Sequence, residues 1–155
     1  MKNSRRMNGA SLDATDRKLL AAITGNARIS LADLGRMLGM SPQSAADRLR
    51  RLEDVGVISG FTARLDPEAL GLSVGAYIRV RPAMGELPRV TALLRDMPEI
   101  VECDRITGDD CFIAKVFVAR IGDLERLIDR LIPHAQTNTS IIQSTPVMRR
   151  APGYF

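Results

Sequence analysis

The chain has 155 residues, 45% hydrophobic and 4% aromatic, which is enough for one medium-sized domain or two small ones. No apolar run approaches the roughly 20 residues of a membrane-spanning helix, and Met1 to Gly9 lacks the apolar core of a signal peptide. A cytoplasmic protein with no membrane partner is therefore expected. Two cysteines and one histidine, without a CxxC pair, argue against a Cys/His zinc site.

The positive charge is concentrated in the first part of the chain. The net charge is +4, but residues 1–65 hold 11 Lys and Arg against 6 Asp and Glu, or +5, whereas residues 66–155 hold 11 against 12, or −1. This asymmetry is typical of a nucleic-acid-binding domain attached to a neutral one. Residues 1–10 are predicted to be a flexible basic tail.

Residues 11–65 begin with signals for two helices. Asp13, with Asp16 three residues later, predicts the start of a first helix that ends near Gly25. Ser30 caps a second helix, and Gly39 ends it. Apolar residues recur with helical spacing in both segments, which predicts that the helices pack together: Leu19, Leu20 and Ile23 in the first, and Leu31, Leu34 and Leu38 in the second.

A third helix is predicted directly after the Gly39 turn. Ser41 is its cap, Pro42 occupies its first position, and Ala45, Leu49 and Leu52 form its buried stripe. A short helix, a glycine turn and a helix with small polar residues first and arginines later are typical of a helix-turn-helix, whose second helix fits the DNA major groove. The predicted DNA-binding residues are Ser41, Gln43, Ser44, Arg48, Arg50 and Arg51.

The basic helix has two interpretations. Arginine binds phosphate, or the O6 and N7 atoms of guanine, with two hydrogen bonds, and a helix N-terminus attracts a phosphate. The alternative is a solvated face on which Asp47 pairs with Arg50 and Arg51. The capped helix before it and the segment after it favour DNA contact.

The segment after the basic helix predicts a wing and a linker. Gly56 ends the helix, and the β-branched residues of Val55 to Leu65 predict a short strand that completes a winged helix-turn-helix domain over residues 11–65. Residues 66–72 combine a proline, a glycine and two acids, which predicts a linker.

Residues 73–155 show a different pattern. Alternation in Val74 to Val80 predicts a strand that ends at Pro82. The elements that follow are a helix with the face Leu87 to Leu94, a strand over Ile100 to Thr107, a strand over Cys111 to Val118, a helix with the face Leu124 to Leu131, and a strand over Thr137 to Val147. The order βαββαβ predicts a ferredoxin-like domain, so the fold class is α+β.

A ferredoxin-like domain leaves one face of its sheet bare. Burying an apolar face stabilises by about 25 cal/mol per Å², so a second copy of the chain is the expected cover. A two-fold homodimer would also let two recognition helices meet half-sites roughly 34 Å apart.

The combined pattern resembles the leucine-responsive/asparagine-type (Lrp/AsnC) family of transcription regulators. The resemblance runs from about Ser11 to about Val147 and rests on the Ser11 to Asp16 start, on Ser41-Pro42 through Arg48 to Glu53, on Gly56 to Phe61, and on Thr107-Gly108-Asp109 in the central hairpin. It implies a dimer that assembles into a tetramer or octamer, double-stranded DNA bent around the assembly, and a small-molecule effector, usually an amino acid, near the hairpin turn.

The effector-binding residues implied by the resemblance are Thr107, Gly108, Asp109, Asp110 and Cys111. The family turn often has the pattern Gly-Asp-aromatic-Asp, whereas this chain has Gly108-Asp109-Asp110-Cys111. The second aspartate is thus missing or displaced by one position. A different effector, a different pose, no effector, and a plain hairpin turn all stay open.

Two other functions compete with a specific regulator. An enzyme is not expected, because the chain has no Gly-rich phosphate loop, no metal-ligand spacing and no nucleophile in a known context, and no cofactor is expected. A nucleoid-associated architectural protein would use the same DNA-binding domain without a specific effector, and would differ in its ratio of specific to non-specific binding.

Overall fold

A computed structural model describes residues 11–152 of the chain. The predicted basic tail, residues 1–10, lies outside the described residues. Among the described residues, residues 11–63 and 149–152 form one compact unit, and residues 64–148 form a second. Among residues 11–152 no helix is long and apolar enough to cross a membrane.

The first unit consists of three helices, which are α1 (Ala14–Gly25), α2 (Leu31–Leu38) and α3 (Pro42–Asp54). Their predicted caps are confirmed: Asp13, Ser30 and Ser41 each accept a hydrogen bond from the backbone N–H three residues later. The helices enclose one hydrophobic core, built from Leu19, Leu20, Ile23, Leu34, Ala45 and Leu52.

The turn between α2 and α3 depends on two glycines. Gly39 has φ of +70°, a left-handed conformation that glycine adopts without steric cost. Gly35 is buried in α2, and a Cβ atom at this position would lie 2.8 Å from the carbonyl oxygen of Met40. The absence of a side chain at Gly35 therefore lets α2 approach the turn, whose Met40 N–H donates to the Gly35 carbonyl.

The strand predicted within Val55 to Leu65 is wrong: residues 55–65 contain no β-strand. The segment leaves α3 through Gly56, and the Ile58 N–H donates to the Leu52 carbonyl. A strand needs a neighbour for its ladder of hydrogen bonds, and the described part of the first unit contains no other strand to pair with.

The second unit has the predicted βαββαβ order, confirming a ferredoxin-like arrangement. Its elements are β1 (Val74–Pro82), α4 (Leu87–Arg95), β2 (Ile100–Arg105), β3 (Phe112–Val118), α5 (Ile121–Leu131) and β4 (Ala135–Ile141). The four strands form one antiparallel sheet in the order β2-β3-β1-β4. Residues 66–72, the predicted linker, fold into turns in which the Leu72 N–H donates to the Pro67 carbonyl.

Some strand bounds differ from the prediction. Strand β4 begins two residues early and ends at Ile141 rather than Val147. Ile141 pairs with Ala76, so only Gly75 and Val74 of β1 remain beyond it, and residues 144–147 have no partner on β1. Strands β2 and β3 stop short of Thr107 and Cys111, which belong to the turn between them.

The sheet buries one face and leaves the other open. Its buried side chains pack against those of α4 and α5 in one core, formed by Ala76, Ile78, Val80, Val90, Leu94, Met97, Phe112, Val116, Val118, Leu124, Leu127, Leu131 and Ala135. On the open face, Tyr77 is exposed, and the Lys115 ammonium lies 5.7 Å from the Tyr77 ring centre and 5.4 Å from that of Phe117.

Candidate functional site

Helix α3 presents a polar face to solvent. Ala45 and Leu52 are fully buried on its inner side. Positions 43, 47 and 50 follow the i, i+4, i+7 spacing that places side chains on one helical face, and all three residues are exposed. The face formed by Gln43, Asp47 and Arg50 is called the outer face of α3 below.

Of the predicted residues, Ser41 caps the helix, and Ser44 lies in the first helical turn. The Ser41 hydroxyl accepts a hydrogen bond from the Ser44 N–H at 3.1 Å and lies 2.8 Å from the Ser44 hydroxyl. Both serines are exposed at the helix N-terminus, where the first backbone N–H groups give a partial positive charge. Their geometry suits a contact with one phosphate oxygen.

The three side chains of the outer face differ in their hydrogen-bond partners. The Gln43 amide donates to the Asp47 carboxylate at 3.0 Å. Arg50 is exposed and makes no hydrogen bond or ion pair to any residue between 11 and 152. Arg50 is thus an unpaired cation of α3, directed away from the core.

Arg48 and Arg51 are partly exposed, with 32% and 45% of their side chains accessible, and both bind acids at the start of α1. Nη1 of Arg48 lies 2.7 Å from Oδ2 of Asp13 and 2.7 Å from Oδ1 of Asp16, and Nη2 of Arg51 lies 2.6 Å from Oδ2 of Asp16. Both arginines thus lie at the surface beside the outer face of α3, but their guanidinium groups are paired with acids of the same domain. Asp16 is 1% exposed, and a buried carboxylate requires such partners. We call these four residues the α1–α3 salt bridge cluster.

The cluster shifts the pKa of its acids. Burial raises the pKa of Asp16, but hydrogen bonds from Arg51, from the Asp13 backbone and from Arg48 outweigh burial and hold the pKa below its ordinary value. The pKa of Asp13 is lowered by the hydrogen bond from the Asp16 backbone and then by Arg48. Both acids are therefore charged at neutral pH.

The alternative interpretation of the basic helix, a solvated face, is wrong about its ion pairs. It paired Asp47 with Arg50 and Arg51, but Asp47 accepts from Gln43 and Arg51 binds Asp16. Sequence reasoning used Asp13 and Asp16 only as caps of α1. The helical spacing of α3 places Ser44, Arg48 and Arg51 on a stripe beside the buried one, but it does not show that the two arginines bind acids of another helix.

The predicted effector residues lie together in the turn between β2 and β3. The Ile106 N–H donates to the Cys111 carbonyl and closes the turn, in which Gly108 has φ of +108°. Thr107 and Asp109 are exposed, and the Asp109 side chain is 94% exposed. Asp110 and Cys111 are partly buried, and the Cys111 thiol is free.

Arg81, at the end of β1, holds this turn. Its Nε donates to the Asp109 carbonyl at 2.7 Å, and its guanidinium lies 3.8 Å from the Asp109 carboxylate and 3.9 Å from that of Asp110. Sequence reasoning did not select Arg81, because only the pairing of β1 with β3 brings it next to the turn. The two carboxylates thus share one cation.

The described residues contain no group of three or more His, Cys, Asp or Glu side chains placed to hold a metal ion. Cys103 lies on the edge strand β2, and burial, followed by the charge of Asp104, raises the pKa of its thiol.

Comparison with known proteins gives a match for each unit. A family model described as winged helix-turn-helix DNA-binding matches residues 12–59, and one described as the Lrp/AsnC ligand binding domain matches residues 75–152. The uncharacterized HTH-type transcriptional regulator YezC of Bacillus subtilis is 34% identical, over 86% of this chain and 95% of that protein.

Solved structures agree with the sequence matches. LrpC of Bacillus subtilis has a TM-score of 0.85 at 29% identity and covers 90% of this chain and 100% of that one. A feast or famine regulatory protein of Mycobacterium tuberculosis, complexed with L-methionine, has a TM-score of 0.85 at 30% identity and covers 92% of this chain and 99% of that one. These relatives are regulators and not enzymes, as the sequence predicted. The chain therefore belongs to the Lrp/AsnC family of transcriptional regulators.

Proposed function

We propose that the chain is a sequence-specific transcriptional regulator that inserts α3 into the DNA major groove. The observation that carries the proposal is the outer face of α3, where unpaired Arg50 and exposed Gln43 lie opposite a fully buried stripe. A helix about 10–12 Å across fits a groove about 12 Å wide. Arginine and glutamine are the side chains that bind guanine and adenine edges with two hydrogen bonds.

The contacts are proposed to divide into two classes. Arg50 and Gln43 meet base edges, and Ser41 and Ser44 bind phosphate at the helix N-terminus. Arg48 and Arg51, which the sequence also assigned to DNA, are proposed to orient α3 through their ion pairs with Asp13 and Asp16.

Selection of binding sites from a pool of random duplexes tests this proposal. A specific regulator enriches a defined motif and binds it at least about 10³-fold more tightly than random DNA at physiological salt. An architectural protein enriches no motif and binds both duplexes with similar affinity. The second result would favour the nucleoid-associated alternative.

The open face of the sheet is proposed to carry a homodimer, which the resemblance extends to a tetramer or octamer. Tyr77 and Phe117 offer aromatic surface there, and Ile113 lies on the same face, opposite Arg79 in the register. A two-fold interface repeats the same patch on both subunits and presents two copies of α3 to neighbouring half-sites.

A small-molecule effector, an amino acid, is proposed to bind near the turn formed by Thr107 to Cys111. The structural relative complexed with L-methionine supports this class of ligand. The exposed Asp109 carboxylate suits an ammonium group, and Arg81 beside it suits a carboxylate. Family membership supplies the ligand-binding domain, whereas the ligand itself belongs to the proposal.

Thermal unfolding with a panel of amino acids, including L-methionine, tests the effector proposal. A ligand present at 100 times its Kd stabilises the folded protein by about 2.7 kcal/mol, which is a measurable rise in Tm. An Asp109→Asn variant is expected to lose that rise, while Asp96→Asn, exposed at the end of α4, is expected to keep it. No stabilisation by any amino acid at millimolar concentration would favour a plain turn.

A further inference from the structure

The α1–α3 salt bridge cluster pairs two arginines of α3 with two acids of α1. Arg48 and Arg51 lie on the side of α3 that adjoins its outer face, at positions i and i+3. Their guanidinium groups meet carboxylate oxygens at 2.6–2.7 Å, the distance of a charge-assisted hydrogen bond. Two cations of the recognition helix are thus matched by two anions of the same domain.

We propose that Asp13 and Asp16 act as internal substitutes for phosphate, which keep Arg48 and Arg51 from the DNA backbone and so limit sequence-independent binding. This inference rests on the proposed function of α3. It assigns Asp13 and Asp16 the role of residues that set specificity without touching a base.

Asp16 and Asp13 differ in their exposure to solvent, and therefore in how rigidly their contacts with the arginines are fixed. Asp16 is 1% exposed and accepts from both arginines, so its contacts are fixed within the fold. Asp13 is 51% exposed and Arg48 is 32% exposed, so this pair borders solvent. An open cleft of about 530 Å³ lies beside it, lined also by Ser11 and Ser44. Without the Asp13 charge, two arginines would share the single Asp16 carboxylate, which leaves one positive charge for a phosphate that reaches Arg48 through this cleft.

The effect of the cluster on DNA affinity follows from counterion release. Each phosphate that a cation neutralises adds about 0.9 to the slope of log affinity against log salt concentration. An arginine already paired with a carboxylate gains little by moving to a phosphate, because the carboxylate it leaves loses its partner. The cluster therefore keeps Arg48 and Arg51 from contributing to non-specific DNA binding. Arg50 remains the unpaired arginine of the outer face.

Asp13→Asn is the variant that separates masking from capping. Asparagine is as good an N-cap as aspartate, so α1 keeps its start, and Asp16 keeps its own contacts with both arginines. Glu53→Gln is the matched control, because it removes the same charge from an exposed residue of α3 that binds neither arginine. Affinities for a random duplex and for a selected site are measured over a series of salt concentrations.

The expected result is tighter binding of random DNA by Asp13→Asn, by about threefold relative to Glu53→Gln, and a salt slope steeper by about one unit. The ratio of specific to random affinity falls accordingly. Equal slopes for the two variants, or weaker binding of both duplexes by Asp13→Asn, would overturn the inference, since the second result is that of a purely structural contact.

A second variant covers the case in which Asp13→Asn does not fold. Arg48→Gln removes a masked cation and is expected to leave the random-DNA salt slope unchanged, whereas loss of one unit would overturn masking. If the wild-type chain binds no duplex, the proposed function fails and the inference with it. Wild-type binding with equal variant slopes overturns the inference alone.

Discussion

Nη2 of Arg51 lies 2.6 Å from Oδ2 of Asp16, an aspartate that is 1% exposed. The same oxygen accepts the Asp13 N–H at 3.1 Å, and the other oxygen accepts from Arg48. One buried carboxylate thus joins the first turn of α1 to the middle of α3. The orientation of the recognition helix depends on this contact as well as on the hydrophobic core.

Arg51→Ala is expected to lower the free energy of unfolding by about 1–2 kcal/mol. The substitution leaves the buried Asp16 carboxylate with one donor fewer, although partial exposure of Arg51 screens the loss. Arg50→Ala removes the same side chain from an unpaired position, so its free energy of unfolding is expected to lie within about 0.5 kcal/mol of the wild-type value. Urea unfolding followed by circular dichroism suits a chain without tryptophan. Equal stability of the two variants would contradict the structural role of Arg51.

The stability of the first unit is expected to fall in acid. Asp13 and Asp16 have lowered pKa values in the folded state, so their stabilisation is fully present above the ordinary value of 3.8. It is lost as the pH falls from there through the lowered folded pKa. Urea midpoints of wild type and of an Asp13→Asn/Asp16→Asn double variant, measured from about pH 6 to pH 3, are expected to converge in acid. Parallel curves would exclude these two acids as the cause.

Gly35→Ala is expected to destabilise the helix-turn-helix by about 2 kcal/mol or more. The new Cβ atom would lie 2.8 Å from the Met40 carbonyl oxygen and 3.1 Å from the Pro42 nitrogen, both of which are backbone atoms. Gly25→Ala is the control, since a Cβ there meets no atom within 4 Å, and alanine at a helical position is neutral or stabilising by up to about 1 kcal/mol. Thermal unfolding of the two variants compares them directly. A stable Gly35→Ala protein would contradict the close approach of α2 to the turn.

Tyr77→Asp is expected to convert the protein to a monomer of 17.0 kDa. It places a charge on the open face of the sheet, where the proposed partner subunit would bury it unpaired. Met84→Asp is the control: it introduces the same charge at a fully exposed loop residue and is expected to leave the oligomeric state unchanged. Light scattering after size exclusion measures the masses. A wild-type chain of 17.0 kDa would contradict the proposed dimer, as would a Tyr77→Asp variant with wild-type mass.

The helices and most strands could be predicted because their signals are local. Asp13, Ser30 and Ser41 act within their own first turns, and the alternation of Val74 to Val80 depends on one strand. These patterns involve neighbours in sequence, whose spacing the sequence displays directly. The βαββαβ order then follows from the succession of elements.

The partners of Arg48, Arg51 and Arg81 could not be predicted in the same way. Arg48 and Arg51 bind acids 32 to 35 positions earlier, and Arg81 binds Asp109, which is 28 positions later. Such pairs depend on how helices and strands pack, and a helical wheel shows an arginine beside the buried stripe without its partner. The missing strand within residues 55–65 has the same cause, because β-propensity acts only where a neighbouring strand exists.

The affinity of Arg50→Ala for the selected DNA site is the most direct test of the account, because Arg50 is the unpaired arginine of the outer face of α3. Fluorescence anisotropy compares wild type and variant on the selected and random duplexes at one salt concentration. Loss of a base contact is expected to weaken the selected site by about 1–3 kcal/mol and random DNA much less. Wild-type affinity of Arg50→Ala for both duplexes would contradict insertion of this face into the groove.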